Sequence, residues 1–104
     1  MSQSIKPTTC RIIGKPFKIE WCDKIEHDGE CVNGLFDSDA QRIQVCGTLP
    51  LESEQDSLLH EVLHAVEFSM GLDLEETVIE RLATGLLAVI KDNPKFVSYL
   101  RRRK

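Results

Sequence analysis

The spacing of apolar residues in this 104-residue chain changes near residue 50, and that change limits the possible folds. After residue 50 the apolar residues recur at helical spacing over two long segments. Before it, short apolar and β-branched runs separated by turn sequences predict strands at residues 9–13, 17–21, 31–36 and 42–46. Strands followed by helices predict one α+β domain over residues 1–104, with a small, mostly antiparallel sheet of three to four strands packed on two main helices.

The first helix is predicted at about residues 54–70. Its apolar residues recur at the spacing of one buried stripe: Leu59, Val62, Leu63, Val66 and Met70. Ser53 and Asp56 resemble a capping pair at the start, and Gly71 provides a left-handed stop. The helix is therefore amphipathic and has recognisable ends.

This helix carries the pattern His-Glu-x-x-His beside its apolar stripe, at His60, Glu61 and His64. Helical residues four apart share a face, so both imidazoles can bind one metal ion. Zinc held by two histidines and a third ligand keeps an open position, and an adjacent carboxylate can take a proton from the attacking water. The pattern predicts a catalytic zinc site with Glu61 as general base. The alternative is a helix whose polar edge happens to carry two histidines.

A second helix is predicted at about residues 74–92 and is the expected source of the third ligand. Glu76 and Glu80 lie beside its apolar face, where a carboxylate requires a positive partner. Glu80 is the predicted zinc ligand because it lies a turn deeper, and Ala83 lets the two helices approach closely. Glu76 is interpreted as a cap with Asp73, but it stays open as the alternative ligand.

With these residues, the chain resembles gluzincin-type metallopeptidases over about residues 31–92. The resemblance is carried by His60-Glu61-Val62-Leu63-His64 followed by Glu80-Arg81-Leu82-Ala83. It is strongest for the very small minigluzincins, and the strands before the helix are similar to small zincin domains of phage and bacterial peptidases. The resemblance implies that His60, His64 and Glu80 bind Zn²⁺ and that Glu61 activates water for peptide-bond hydrolysis.

The resemblance also implies a mode of substrate binding. An extended peptide or protein substrate would add as a strand along residues 32–36, between Val32 and Phe36. Asn33-Gly34 within that range is also a strong hairpin signal. Unlike larger family members, the chain has no second catalytic domain, and its one tyrosine, Tyr99, lies in the C-terminal segment. A catalytically weak or inactive zinc-stabilised binding or regulatory module is therefore the alternative function.

Charge and composition restrict the partners. With 13 basic and 17 acidic residues, the net charge of -4 argues against general nucleic-acid binding. The basic run at residues 101–104, within the C-terminal segment 94–104, is interpreted as a solvated helix end, with phosphate contact as the alternative. Glu67 is either a hydrogen-bond partner of a ligand histidine or a solvated charge.

The apolar stretches and the cysteines of the chain allow predictions about its location and about the state of its thiols. No apolar stretch is long enough to cross a membrane, and residues 1–9 lack the apolar core of a secretory signal. The expected location is the cytoplasm, or the host cytoplasm if the chain is phage-encoded. The four cysteines form no Cys-x-x-Cys pair, so we expect reduced thiols, with Cys22 and Cys46 packed as small apolar residues. A four-cysteine zinc site is the alternative if the fold gathers them.

Overall fold

The first half of the chain forms six strands in the computed structural model, which describes residues 6–103. Four of them form one sheet in the order β1-β2-β6-β5, and β3 and β4 form a separate hairpin. Within the larger sheet β2 and β6 are parallel and the other pairs are antiparallel. The predicted α+β class is therefore confirmed. The strands are β1 (Thr9–Ile12), β2 (Lys15–Cys22), β3 (Ile25–His27), β4 (Glu30–Val32), β5 (Gly34–Asp37) and β6 (Arg42–Cys46).

The predicted strand at residues 31–36 is wrong in one respect that matters for the site. The chain breaks there into β4 and β5, with Asn33 between them. The Asn33 carbonyl accepts a hydrogen bond of 2.8 Å from the Cys46 backbone N–H, so Asn33 adjoins β6 and is not part of a hairpin turn. Strand β3 was not predicted, because three residues are too few to show a periodic pattern.

Three helices follow the sheet: α1 (Leu51–Met70), α2 (Glu76–Asp92) and α3 (Pro94–Arg101). The left-handed stop at Gly71 is confirmed, with a φ of 70°. Neither predicted capping pair is correct, since neither α1 nor α2 has a side-chain cap. The first helix begins directly after Pro50, which places Ser53 and Asp56 inside it, and Glu75 precedes the second helix.

The core lies between α1 and the inner face of the four-stranded sheet. Buried side chains from the strands meet one small helical residue, Ala65, which lets the helix approach the sheet closely. Val62 and Val66 of the predicted stripe pack there, but Met70 is exposed. The buried residues of this cluster are Ile12, Phe17, Ile19, Ile43, Val45 and Ala65.

The described residues bear on the predictions about membrane crossing and about the two ends of the chain. Within residues 6–103, no helix combines the length and the apolar character needed to cross a membrane. Residues 1–5 lie outside the described residues, and with them most of the segment assessed for a secretory signal. Arg101 forms the last turn of α3, as the interpretation of the basic run as a helix end requires, while Lys104 lies outside the described residues.

Candidate metal centre

Helices α1 and α2 bring two imidazoles and one carboxylate together. The Nε2 atom of His60 lies 2.8 Å from Glu76 Oε2, and Nε2 of His64 lies 2.9 Å from Glu76 Oε1. The two Nε2 atoms are 3.2 Å apart. Among residues 6–103, these three residues are the one group whose ligand atoms are near enough to share an ion.

The donor atoms of these three residues lie close enough together to share one metal ion. Ligands about 2.0–2.1 Å from zinc in tetrahedral geometry lie roughly 3.3 Å from one another. The 3.2 Å between the two Nε2 atoms is close to that value, whereas the distances of 2.8 and 2.9 Å to the Glu76 carboxylate are shorter and end on different oxygens. Two neutral imidazoles and one carboxylate also form a ligand set that leaves a fourth position open. The residues present therefore suit a metal ion with an accessible coordination site.

Glu67 links one of these histidines to the turn between the helices. Its Oε1 atom lies 3.2 Å from Nδ1 of His64, and its Oε2 atom accepts a 2.6 Å hydrogen bond from the Leu74 backbone N–H. That backbone hydrogen bond, with His64 adding to it, holds the pKa of Glu67 below its ordinary value. A proton on Nδ1 of His64 donated to Glu67 leaves the Nε2 lone pair free for a metal.

Glu61 lies on the buried side of α1, next to strand β5. It is only 7 % exposed, although a charged carboxylate is rarely so deeply buried. Burial raises its pKa, the charges of His60 and His64 oppose that shift, and the Glu76 carboxylate adds to it. An unpaired and partly desolvated carboxylate of this kind is a stronger proton acceptor than one in water.

Gly34, the first residue of β5, makes room for this carboxylate. A Cβ atom at Gly34 would lie 2.9 Å from both Cγ and Oε2 of Glu61, closer than real Cβ contacts allow. The absence of a side chain at Gly34 therefore permits Glu61 to reach the cleft. The sequence shows only Asn-Gly here, which is read as a turn signal, so this packing role was not predicted.

Glu80, the predicted third ligand, is not part of the three-residue group. It lines the cleft beside the group, one helical turn along α2 from Glu76. The cleft has a volume of about 500 Å³ and lies between the helix pair and the β4–β5 junction. Asp56, which accepts a 3.2 Å hydrogen bond from Thr84 Oγ1, lies at its far end.

The cysteines are not gathered into a site. All four are free, and Cys22 and Cys46 are half-buried register partners on the parallel strands β2 and β6. The Cys46 Sγ atom lies 3.3 Å from Thr48 Oγ1 and 3.6 Å from the Asp23 carbonyl oxygen, so Cys46 makes polar contacts and is not packed as an apolar residue. Cys10 and Cys31 lie on other strands, β1 and β4. The metal-binding potential of the described chain is thus confined to the helix pair.

No protein-family model, curated protein or solved structure matches this chain. Its function must therefore be inferred from the geometry of the site and the chemistry of its residues.

Proposed function

We propose that the chain is a zinc-dependent metallopeptidase that hydrolyses peptide bonds in its cleft. One observation carries the proposal: the ligand atoms of His60, His64 and Glu76 converge while the buried carboxylate of Glu61 lies on the wall of the same cleft. A purely structural zinc site has no use for a second carboxylate, unpaired and buried, at that position. Glu76 replaces Glu80 in the proposed ligand set, because it contacts both imidazoles.

Each residue of the site has a separate role in this mechanism. A zinc ion, when bound, polarises water and the scissile carbonyl. His60, His64 and Glu76 would hold the ion at a fixed position in the cleft. Glu61 accepts the proton of the attacking water and later delivers it to the leaving amine, so that the peptide bond breaks and an amine and a carboxylate form. The space left by Gly34 lets that carboxylate lie on the wall of the cleft.

Strand β5 is the proposed site of substrate pairing. It is an edge strand of the four-stranded sheet, and its first residue, Gly34, lines the cleft together with Val32 and Asn33. An extended peptide can add to such an edge through backbone hydrogen bonds. Because the strand is interrupted at Asn33, we propose that the substrate pairs with Gly34–Asp37. Val32, which the predicted range included, is left out of the pairing.

The proposal is tested by digestion of a peptide library with the purified chain. We expect one zinc per chain and cleavage that stops on chelation and returns when zinc is restored. A His60→Ala, His64→Ala double variant purified in the same way controls for a contaminating protease. Bound zinc without cleavage of any peptide would contradict the proposal and favour the inactive, zinc-stabilised module.

Glu67→Gln should weaken zinc binding while leaving the fold intact. The substitution preserves shape but removes the charge that orients the imidazole of His64, and such supporting partners are worth about 10–100-fold in metal affinity. Competition titration with a fluorescent zinc chelator measures the change. Glu52→Gln, an exposed carboxylate at the start of the same helix, is the matched control. Equal affinities for the two variants would show that Glu67 does not support the site.

Gly34→Ala should lower peptidase activity without removing zinc. The new methyl group displaces the Glu61 carboxylate, and a misplacement of about 1 Å at a catalytic group can cost on the order of 100-fold in rate. Gly47→Ala is the control, because a Cβ there meets its nearest neighbours at an ordinary 3.5 Å. Full activity in Gly34→Ala would mean that the position of Glu61 is not critical.

A further inference from the structure

Two rows of polar residues, one on each helix of the pair, meet along the cleft. Within each row the residues are four apart, so they share one face of their helix. The rows run in opposite directions: Glu76 at one end contacts both histidines, and Thr84 at the other end donates a 3.2 Å hydrogen bond to Asp56. Glu80 lies between these two contacts. The rows consist of Asp56, His60 and His64 on α1 and of Glu76, Glu80 and Thr84 on α2.

Glu80 is the member of these rows that has no partner in the described part of the chain. It makes no ion pair or hydrogen bond there, and neither lysine nor arginine is among the residues that line the cleft. Asp56 has the neutral hydroxyl of Thr84 as its partner, so no ion pair balances its charge. A basic side chain, Lys91, does lie in an adjoining cavity of about 280 Å³, but there it is 4.0 Å from Glu52.

A zinc ion in the proposed site would not neutralise these two carboxylates. Its two positive charges are matched by the ligand Glu76 and by Glu61, because both histidines bind as neutral imidazoles. The charges of Asp56 and Glu80 then remain, on the side of the metal site toward the beginning of α1. The cleft therefore keeps an excess of negative charge, which attracts cations.

The buried carboxylate of Glu61 is separate evidence that this cleft holds a ligand. It lines the cleft, is only 7 % exposed and has no hydrogen-bond partner among residues 6–103. Burying a carboxylate without a partner is unfavourable, and an unsatisfied buried group of this kind commonly has a catalytic role or binds an ion or water. Asp56 and Glu80 thus belong to a cavity that binds a ligand and are not only solvated surface charges.

We propose that the cleft selects peptides with a lysine or arginine side chain close to the cleaved bond, and that Asp56 and Glu80 bind this side chain. The inference rests on the proposed peptidase function. Each of the two carboxylates lies one helical turn, about 6 Å, from a proposed zinc ligand on its own helix. An extended peptide advances roughly 3.3 Å per residue, so the basic residue lies one or two positions from the cleaved bond.

The size of the preference follows from the exposure of the two carboxylates. Glu80 is exposed and Asp56 is half-buried, so water partly screens each ion pair. An exposed ion pair changes an equilibrium constant by up to about fivefold, and two carboxylates acting on one cation should give roughly tenfold. The preference should decrease as salt is added, because dissolved ions screen exposed charges.

Binding of labelled peptides to the zinc-loaded Glu61→Gln chain tests this selectivity without hydrolysis. The probes are short peptides of one sequence in which a single position carries lysine, its neutral analogue norleucine or glutamate, and this position is moved stepwise along the peptide. Fluorescence anisotropy should give a dissociation constant about tenfold lower for lysine than for norleucine at one or two adjacent positions, with glutamate weakest. Equal binding of lysine and norleucine at every position, or no binding of either, would overturn the proposal.

Variants of the two carboxylates link the preference to the cleft. Adding Glu80→Gln or Asp56→Asn to the same chain should reduce the lysine preference, and the two together should remove it while zinc stays bound. Asp92→Asn is the matched control, because it removes an exposed carboxylate from the last turn of the same helix, outside the cleft, and it should keep the preference. A preference that survives the paired substitution would contradict the proposal.

Digestion of the peptide library separates charge selection from peptidase activity. Cleavage by the wild-type chain with no preference for lysine or arginine would exclude the charge selection and leave the peptidase proposal intact. A lysine preference in binding that the paired substitution removes, with no cleavage of any peptide, would exclude the peptidase and support the cleft as a binding site for basic peptides.

Discussion

Glu61→Gln is expected to abolish measurable peptide hydrolysis while the protein still binds one zinc ion. The substitution keeps the shape of the side chain but removes its ability to accept a proton, and general-base catalysis contributes about 10²–10⁴-fold. The Glu61 carboxylate is not among the converging ligand atoms, so metal binding should not change. Initial rates on a peptide identified from the library, together with zinc analysis, measure both effects.

Glu54→Gln is the matched control for this experiment. Glu54 is a second buried glutamate of α1, 5 % exposed, and its carboxylate pairs with Lys6 Nζ at 2.8 Å, away from the metal-binding residues. Its replacement should lower thermal stability, because it removes the charge that pairs with Lys6 Nζ, but it should not lower the rate per folded molecule. If Glu61→Gln keeps the wild-type rate, Glu61 is not the proton acceptor.

Glu76→Gln is expected to lower zinc affinity by more than about 100-fold, since a direct ligand is worth more than the supporting partners that account for about 10–100-fold. Its carboxylate is the one that contacts both imidazoles, at 2.8 and 2.9 Å. The loss should also lower the melting temperature in the presence of zinc, because an ion that binds only the folded chain stabilises it. Calorimetric titration with zinc measures the affinity directly.

Glu80→Gln is the comparison that decides between the two glutamates. Both side chains lie on α2 at the same cleft, one turn apart, so the two variants differ in little except contact with the imidazoles. We expect Glu80→Gln to retain zinc with nearly wild-type affinity. The reverse result, with zinc lost in Glu80→Gln and kept in Glu76→Gln, would restore the ligand predicted from the sequence.

Periodicity and the His-Glu-x-x-His pattern predicted much of the helical half of the molecule. The sequence predicted that His60 and His64 share a face beside the apolar stripe, that α1 ends at Gly71 and that α2 extends to about residue 92. These features depend on spacing and on local backbone preference, which a sequence carries directly. The strands-then-helices order was sufficient to predict the α+β class.

The choice between Glu76 and Glu80 depended on information that periodicity does not contain. Both residues lie beside the buried face of α2, and the register of α2 against α1 decides which one reaches the histidines. That register appears in two contacts, Asp56 with Thr84 and His64 with Glu76, which are separated by eight residues along each helix. It depends on the path of the chain between Gly71 and α2, where no regular pattern exists.

The packing around Glu61 could not be predicted from the sequence either. The break between β4 and β5 places Gly34 against a residue 27 positions later in the chain, and only the fold brings them together. The parallel pairing of β2 with β6, across the intervening β3–β5 segment, has the same character. Contacts between residues far apart in the chain do not change the residue preferences of local segments, so local patterns cannot predict them.

The two hydrogen bonds of Glu67 have a consequence for how the site is assembled. One carboxylate joins His64 to the backbone of the turn that leads into α2. The same carboxylate therefore orients the imidazole and closes the helical hairpin. In the proposed metal site, much of the entropy cost of ordering this side chain would then be paid during folding and not when the ion binds. Conversely, any strain that opens the hairpin would release the ring, which makes ion affinity a sensitive reporter of the integrity of that turn.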